Sequence, residues 1–177
     1  MTAEEARQVV DRVSEGVVQG LKETLHIPIM AVAFKDKEEG LIDLEEGVKL
    51  AEALMHEKRL DAAYVVKDLM SMFIRKTLKD TQADGIIMIN DAWVSWQKPR
   101  TIGGDDPTKG TYEVVHPREA PDRQEALCVN WEFKTSDRGL VHGFRQYIYH
   151  RKTTGIEVDP VIEYAGKTEG RFMNFFS

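Results

Sequence analysis

The sequence predicts an α+β domain, with about three helices, mostly N-terminal, packed on one face of a mostly antiparallel sheet of about five strands. Two observations carry this. Apolar residues recur at helical spacing until about residue 80, and from Gly85 onward they follow strand period. The strand-like segments are separated by short turn signals rather than by helices, which indicates hairpins and not parallel crossovers.

The first helix opens on Thr2 and Glu5, the spacing of a capping box, in which each side chain takes an amide the helix leaves unpaired. Val9, Val13, Val17, Leu21 and Leu25 then recur every four residues, widened by Val10 and Val18, and Pro28 is expected to end the helix. The short apolar run from Ile29 to Phe34 suits a buried strand. After the charged turn that follows it, Leu41 and Ile42 form a short return strand. Asp43 and Glu46 repeat the capping signature ahead of a second helix with Leu44, Val48, Ala51, Leu54 and Met55 on its face. A third helix begins near Asp61 and ends in the turn-forming residues between Asp80 and Gly85.

From Ile86 to Val94 the chain reads as one long strand. Pro99, Gly103, Gly104, Pro107 and Gly110 then break the pattern, so residues 98–110 are expected to be a flexible loop within a single domain spanning 1–177. Tyr112 to Val115 is a short strand. Beyond it Leu127, Val129, Trp131 and Phe133 alternate with Cys128, Asn130, Glu132 and Lys134, the signature of a half-buried strand. A turn at 135–139 leads into a strand from Leu140 to His150, and Ile156 to Tyr164 supplies a further one.

Composition narrows the functional classes. Hydrophobic residues make up 42% and charged residues 31%, a globular balance. The net charge of −6 and the pI near 5.4 argue against wholesale binding to nucleic acid or anionic membrane. Nothing approaches the ~20 consecutive apolar residues of a membrane helix. Cys128 is the single cysteine, which excludes an intramolecular disulfide and fits a reducing compartment, so the cytoplasm is the expected location.

The hairpin permits one sharper step. If Lys134 pairs with Leu140, Glu132 lies opposite His142 and Val129 opposite Arg145, which places Arg145 on the apolar face with Trp131 and Tyr147. A guanidinium there needs a carboxylate. Asp91, Asp122 and Glu125 are the candidate partners, either as a structural ion pair or as a ligand site with a tuned acid.

No metal or cofactor site is nominated. His142 and His150 on one strand lie about 26 Å apart at ~3.3 Å per residue, and His26, His56 and His116 show no ligand spacing. The serines lack a nucleophile elbow, no phosphate-cradling glycine motif occurs, and Cys128 sits mid-strand among apolar neighbours. The basic residues Lys134, Arg138, Arg145, Arg151 and Lys152, interleaved with aromatic ones, make the 134–152 hairpin a possible single-stranded nucleic-acid surface. The acidity of the whole chain favours reading them instead as a solvated edge that resists strand-on-strand pairing.

The segment Ala83-Asp84-Gly85-Ile86-Ile87-Met88-Ile89-Asn90-Asp91-Ala92-Trp93, with Pro121-Asp122-Arg123-Gln124-Glu125-Ala126-Leu127 downstream, resembles a pattern in small uncharacterised bacterial proteins. The resemblance covers the second half of the chain and differs at Asp91, where glutamate is the expected residue. It implies that Asp91, Trp93, Asp122, Arg123 and Glu125 meet where two strands begin and end. Two functions follow as expectations. One is a non-enzymatic binding or assembly module, a homodimer joined through apolar surface such as Trp96, Phe172, Phe175 and Phe176. The other is a small-molecule enzyme with its site near Asp91, Glu125 and Arg145.

Overall fold

Capping sets the first helix. In the computed structural model Thr2 Oγ1 accepts from the Glu5 amide at 3.2 Å and Glu5 Oε2 accepts from the Thr2 amide at 2.8 Å, so helix α1 runs Ala3–Thr24. It stops one turn earlier than proline alone demands. Leu25 takes a left-handed conformation at φ 60° and returns its amide to the Leu21 carbonyl at 2.9 Å. The structure describes residues 1–26, 29–45, 47–49, 53, 63–94, 100–102, 111–113, 122–165 and 175–176. Pro28 lies outside them.

Strands β1 (Met30–Lys35) and β2 (Glu38–Ile42) form a hairpin whose turn is Asp36 and Lys37, both at positive φ. A helical segment, α2, begins at Leu44, where the Asp43 carboxylate accepts from the Glu45 amide at 2.9 Å; its described residues are 44, 45, 47–49 and 53. Helix α3 spans Ala63–Asp80. Strand β3 is Gly85–Val94, β4 Arg100–Ile102 and β5 Thr111–Glu113. Then come β6 (Gln124–Thr135), β7 (Gly139–Lys152), β8 (Gly155–Val158) and β9 (Ile162–Ala165).

The main sheet has seven strands in the order β2-β1-β3-β6-β7-β8, with β9 also on β7, and every pairing is antiparallel. The strand count is higher than the expected five, and two further differences from the expected strands stand out. The segment from Ile156 to Tyr164 is broken around Pro160, which has no amide to give a ladder, and its pairing shifts register there; β8 pairs residues 149–152 of β7 and β9 pairs residues 143–146. Inside the expected loop, Arg100–Ile102 pairs with Thr111–Glu113 as a separate two-stranded hairpin, and residues 103–110 lie outside the described set.

The helices do not share one face. Ala6, Val10, Val17 and Leu21 of α1 pack with Ile87, Ile89, Leu127, Val129 and Phe133. Met70, Ile74 and Leu78 of α3 pack with Ile86, Met88 and Ala31. Neighbouring strand residues point to opposite faces, so α1 and α3 lie on opposite sides of the sheet. The sequence reason is the unbroken run Ile86-Ile87-Met88-Ile89, apolar in both parities because both faces are covered. The strand β6, expected to be half-buried, is buried through most of its length for the same reason.

The phenylalanine tail is spent on the chain's own core. Phe175 is buried against the α3 side of the sheet with Phe176 beside it, and Glu132 accepts from both backbone amides, at 2.9 and 3.3 Å. Phe175 is therefore taken out of the expected dimer surface, and Phe176, half-buried, is committed to the same intrachain contact. Trp96 and Phe172 lie outside the described residues.

Candidate functional site

Helix α1 lies along the β6–β7 hairpin. At one end the Asp137 carboxylate accepts from the Ala3 amide and Ser136 donates its amide to the Met1 carbonyl. At the other end Arg151 Nη1 donates to the Leu25 carbonyl at 2.8 Å, a cation on a helix C-terminus. A 22-residue helix is ~33 Å long, shorter than β7, so the sheet face continues past it. The polar residues beyond Leu21 stand there.

The register Lys134 to Leu140 is observed as expected, and it holds Glu132 opposite His142 and Val129 opposite Arg145. Trp131, Tyr147 and Arg145 share the α1 face. Arg145 has its carboxylates, though not those expected. It bonds Asp11 of α1 and, at 3.2 Å, Glu163, its register partner on β9, while its Nη1 donates to Ser14 Oγ at 3.4 Å. Arg7 bonds the same Glu163. Asp91 and Glu125 stay away because Glu125 is opposite Tyr149, four residues along β7 and roughly 13 Å from Arg145. Asp122 is an exposed turn residue.

The rest of the expected set does assemble. Trp93 sits opposite Glu125, and the Arg123 guanidinium lies 5.3 Å from the Trp93 ring centre. Glu125 accepts from Arg151 Nε at 3.0 and 3.1 Å and from the Tyr149 hydroxyl at 3.4 Å. Arg151 Nη2 also donates to that hydroxyl at 3.4 Å. Asp91, two residues before Trp93, faces the same group. Burial raises its carboxyl above the usual range, opposed by nearby His26, by the Tyr149 hydroxyl and by Arg151. Its Oδ1 is buried and has no hydrogen-bond partner among the described residues.

Tyr149 is pushed up to about 12, first by burial and then by the Asp91 and Glu125 charges. It therefore stays a hydroxyl donor at neutral pH. Cys128 is likewise pushed up to about 12 by burial and by Asp91, far from an activated thiolate. No group of three or more His, Cys, Asp and Glu residues suited to a metal occurs among the described residues.

The hairpin's cations are largely engaged: Arg138 with Asp137, Arg145 with Asp11 and Glu163, Arg151 with Glu125, Lys152 with Glu157. That leaves Lys134 as the hairpin cation without an acidic partner among the described residues, which removes most of the phosphate-neutralising surface.

Arg151 and the aromatic residues of the hairpin were expected only as a basic, aromatic surface and not as partners of Glu125, although the register that placed Arg145 also puts Tyr149 opposite Glu125 when carried further. Asp11, Ser14, Glu163 and His26 had no local signal, since each depends on how α1 and β9 dock. No protein-family model, curated protein or solved structure matches this chain. No helix among the described residues is long and apolar enough to cross a membrane.

Proposed function

We propose that the protein is a non-enzymatic binding module whose ligand site is the cluster of Asp91, Trp93, Glu125, Tyr149 and Arg151 beyond the end of α1. The observation that carries this reading is the contrast between two neighbouring acids. Glu125 is met by Arg151 and by the Tyr149 hydroxyl, which also lies against the Asp91 carboxyl, whereas Asp91 Oδ1 itself is buried with no donor among the described residues. A buried acceptor left unpaired costs about 1–3 kcal/mol, which a ligand N–H would recover. Beside it Trp93 is 41% exposed and offers a flat apolar wall. The ligand class is a planar group carrying an amine, amide or amidinium N–H.

Titration of the 15N-labelled protein with benzamidine, and with adenine as a neutral planar amine, tests this. Shifts should centre on the Trp93 indole N–H and on the amides of residues 91, 125 and 149, and Asp91→Asn should abolish them while the remaining spectrum is retained. Unmoved resonances at millimolar probe, or undiminished binding by Asp91→Asn, would sink the proposal.

The raised Asp91 carboxyl favours a second reading, an enzyme that uses Asp91 as a proton donor to a small molecule at the same site. Conversion of a bound probe, seen by mass spectrometry and lost in Asp91→Asn, would select it. A homodimer, if formed, uses apolar surface other than Phe175 and Phe176.

A further inference from the structure

We infer that a second site, on the opposite face of the sheet, binds the phosphate group of a small molecule. A 610 Å³ depression lies between the end of α3, the start of the β3 approach and β6. Arg75, Lys79 and Lys134 line it together with Leu78, Gln82, Ala83, Phe175 and Phe176, and among the described residues that line it there is no carboxylate. Lys35 reaches its rim, with Nζ 3.4 Å from the Gln82 side-chain oxygen.

This concentration of charge runs against the rest of the molecule. The chain carries a net charge of −6, and Arg7, Arg12, Lys37, Lys49, Lys76, Arg145, Arg151 and Lys152 each bond an acid. Lys79 and Lys134, by contrast, have no acidic partner among the described residues. Converging cations repel one another unless an anion lies between them.

The aromatic floor positions two of the three lining cations, Arg75 and Lys134. Lys134 Nζ is 4.4 Å from the Phe176 ring centre and the Arg75 guanidinium 5.6 Å from that of Phe175. The last α3 carbonyls, Thr77, Leu78 and Lys79, accept from the amides of Thr81, Ala83 and Gln82 and still present the negative end of the helix, so the attraction for an anion rests on the side-chain cations and not on the helix. Fixed cations beside flat rings suit a phosphate on a compact organic group.

Calorimetric titration of the full chain with inorganic pyrophosphate at low salt tests the inference. One-to-one binding is expected, weakened about ten-fold by Lys79→Gln and by Lys134→Gln and retained by Lys134→Arg. Lys152→Gln, which alters a lysine paired with Glu157 elsewhere on the surface, should bind as the parent does. Absence of binding at millimolar pyrophosphate overturns the site, as does equal weakening by Lys152→Gln, which marks diffuse attraction. Undiminished binding by both Lys79→Gln and Lys134→Gln overturns it too. So does a fall in Tm for Lys134→Gln with pyrophosphate affinity unchanged, because the cation then serves only the fold.

Discussion

Ser14 Oγ accepts a hydrogen bond from Arg145 Nη1 at 3.4 Å, and Ser14 is the one polar residue in the buried stripe Ala6, Val10, Ser14, Val17, Leu21 of α1. The helix gives up an apolar contact there so that a guanidinium 5% exposed can lie under it. Because Asp11 and Glu163 are partly exposed and Glu163 keeps Arg7, removing the arginine leaves little uncompensated charge. Removing both acids strands it. Asp11→Ala with Glu163→Ala should therefore cost about 3–5 kcal/mol, Arg145→Met distinctly less, and Ser14→Ala about 1 kcal/mol, measured by urea denaturation.

Asp91 sets a pH dependence whose sign follows from its raised carboxyl. In the pH range between the ordinary value of 3.8 and the raised folded value the native state binds the extra proton, so stability falls as pH rises through that window. Asp91→Asn abolishes this dependence. It should stabilise the protein at pH 7.5 and lose that advantage at pH 3, a comparison made by denaturant unfolding at both values.

Gly143 lies directly opposite Trp131, and a β-carbon there would come within 2.3 Å of the indole Cζ2. Gly143→Ala should destabilise by about 1–3 kcal/mol. In a double-mutant cycle, Trp131→Leu should relieve most of that cost, since the clash has a single partner.

The Cys128 thiol, held up to about 12 and buried, should not react with a thiol reagent at pH 8 over minutes in the native protein. In denaturant it should react at once. Fast native labelling would show that the thiol is neither buried nor held in its protonated form.

Phe175 is anchored by its ring in the α3-side core and by Glu132 at its amide. Phe175→Ala should cost about 3–5 kcal/mol, and Glu132→Ala should speed proteolytic removal of the tail. Both effects should be independent of protein concentration.

Periodicity made α1, α3, the long strands and the β6–β7 register legible in the sequence, because local spacing dictates them, whereas the order of the strands in the sheet depends on pairings that spacing does not encode. Which side of the sheet each helix takes was less legible, although Ile86-Ile87-Met88-Ile89 already announces two covered faces. Arg145's need for acids follows from burial alone. Its choice of Asp11 and Glu163 depends on the docking of α1 and on the break at Pro160, neither of which spacing encodes. Asp91, Trp93, Arg123 and Glu125 come together because β3 and β6 pair end to start, while Asp122 of the same expected set stands exposed in the turn before β6.

The division of β7's outer neighbour into β8 and β9 has a consequence for life in a crowded solution. Fourteen residues of one strand would otherwise present a long row of open amides and carbonyls, a template for any passing chain. Two four-residue pieces, joined where Asp159 hands its amide to the Ile148 carbonyl, cap much of that row while offering newcomers only short ledges. Substituting Pro160 with a residue able to fuse them would lengthen the ledge and invite fibrils.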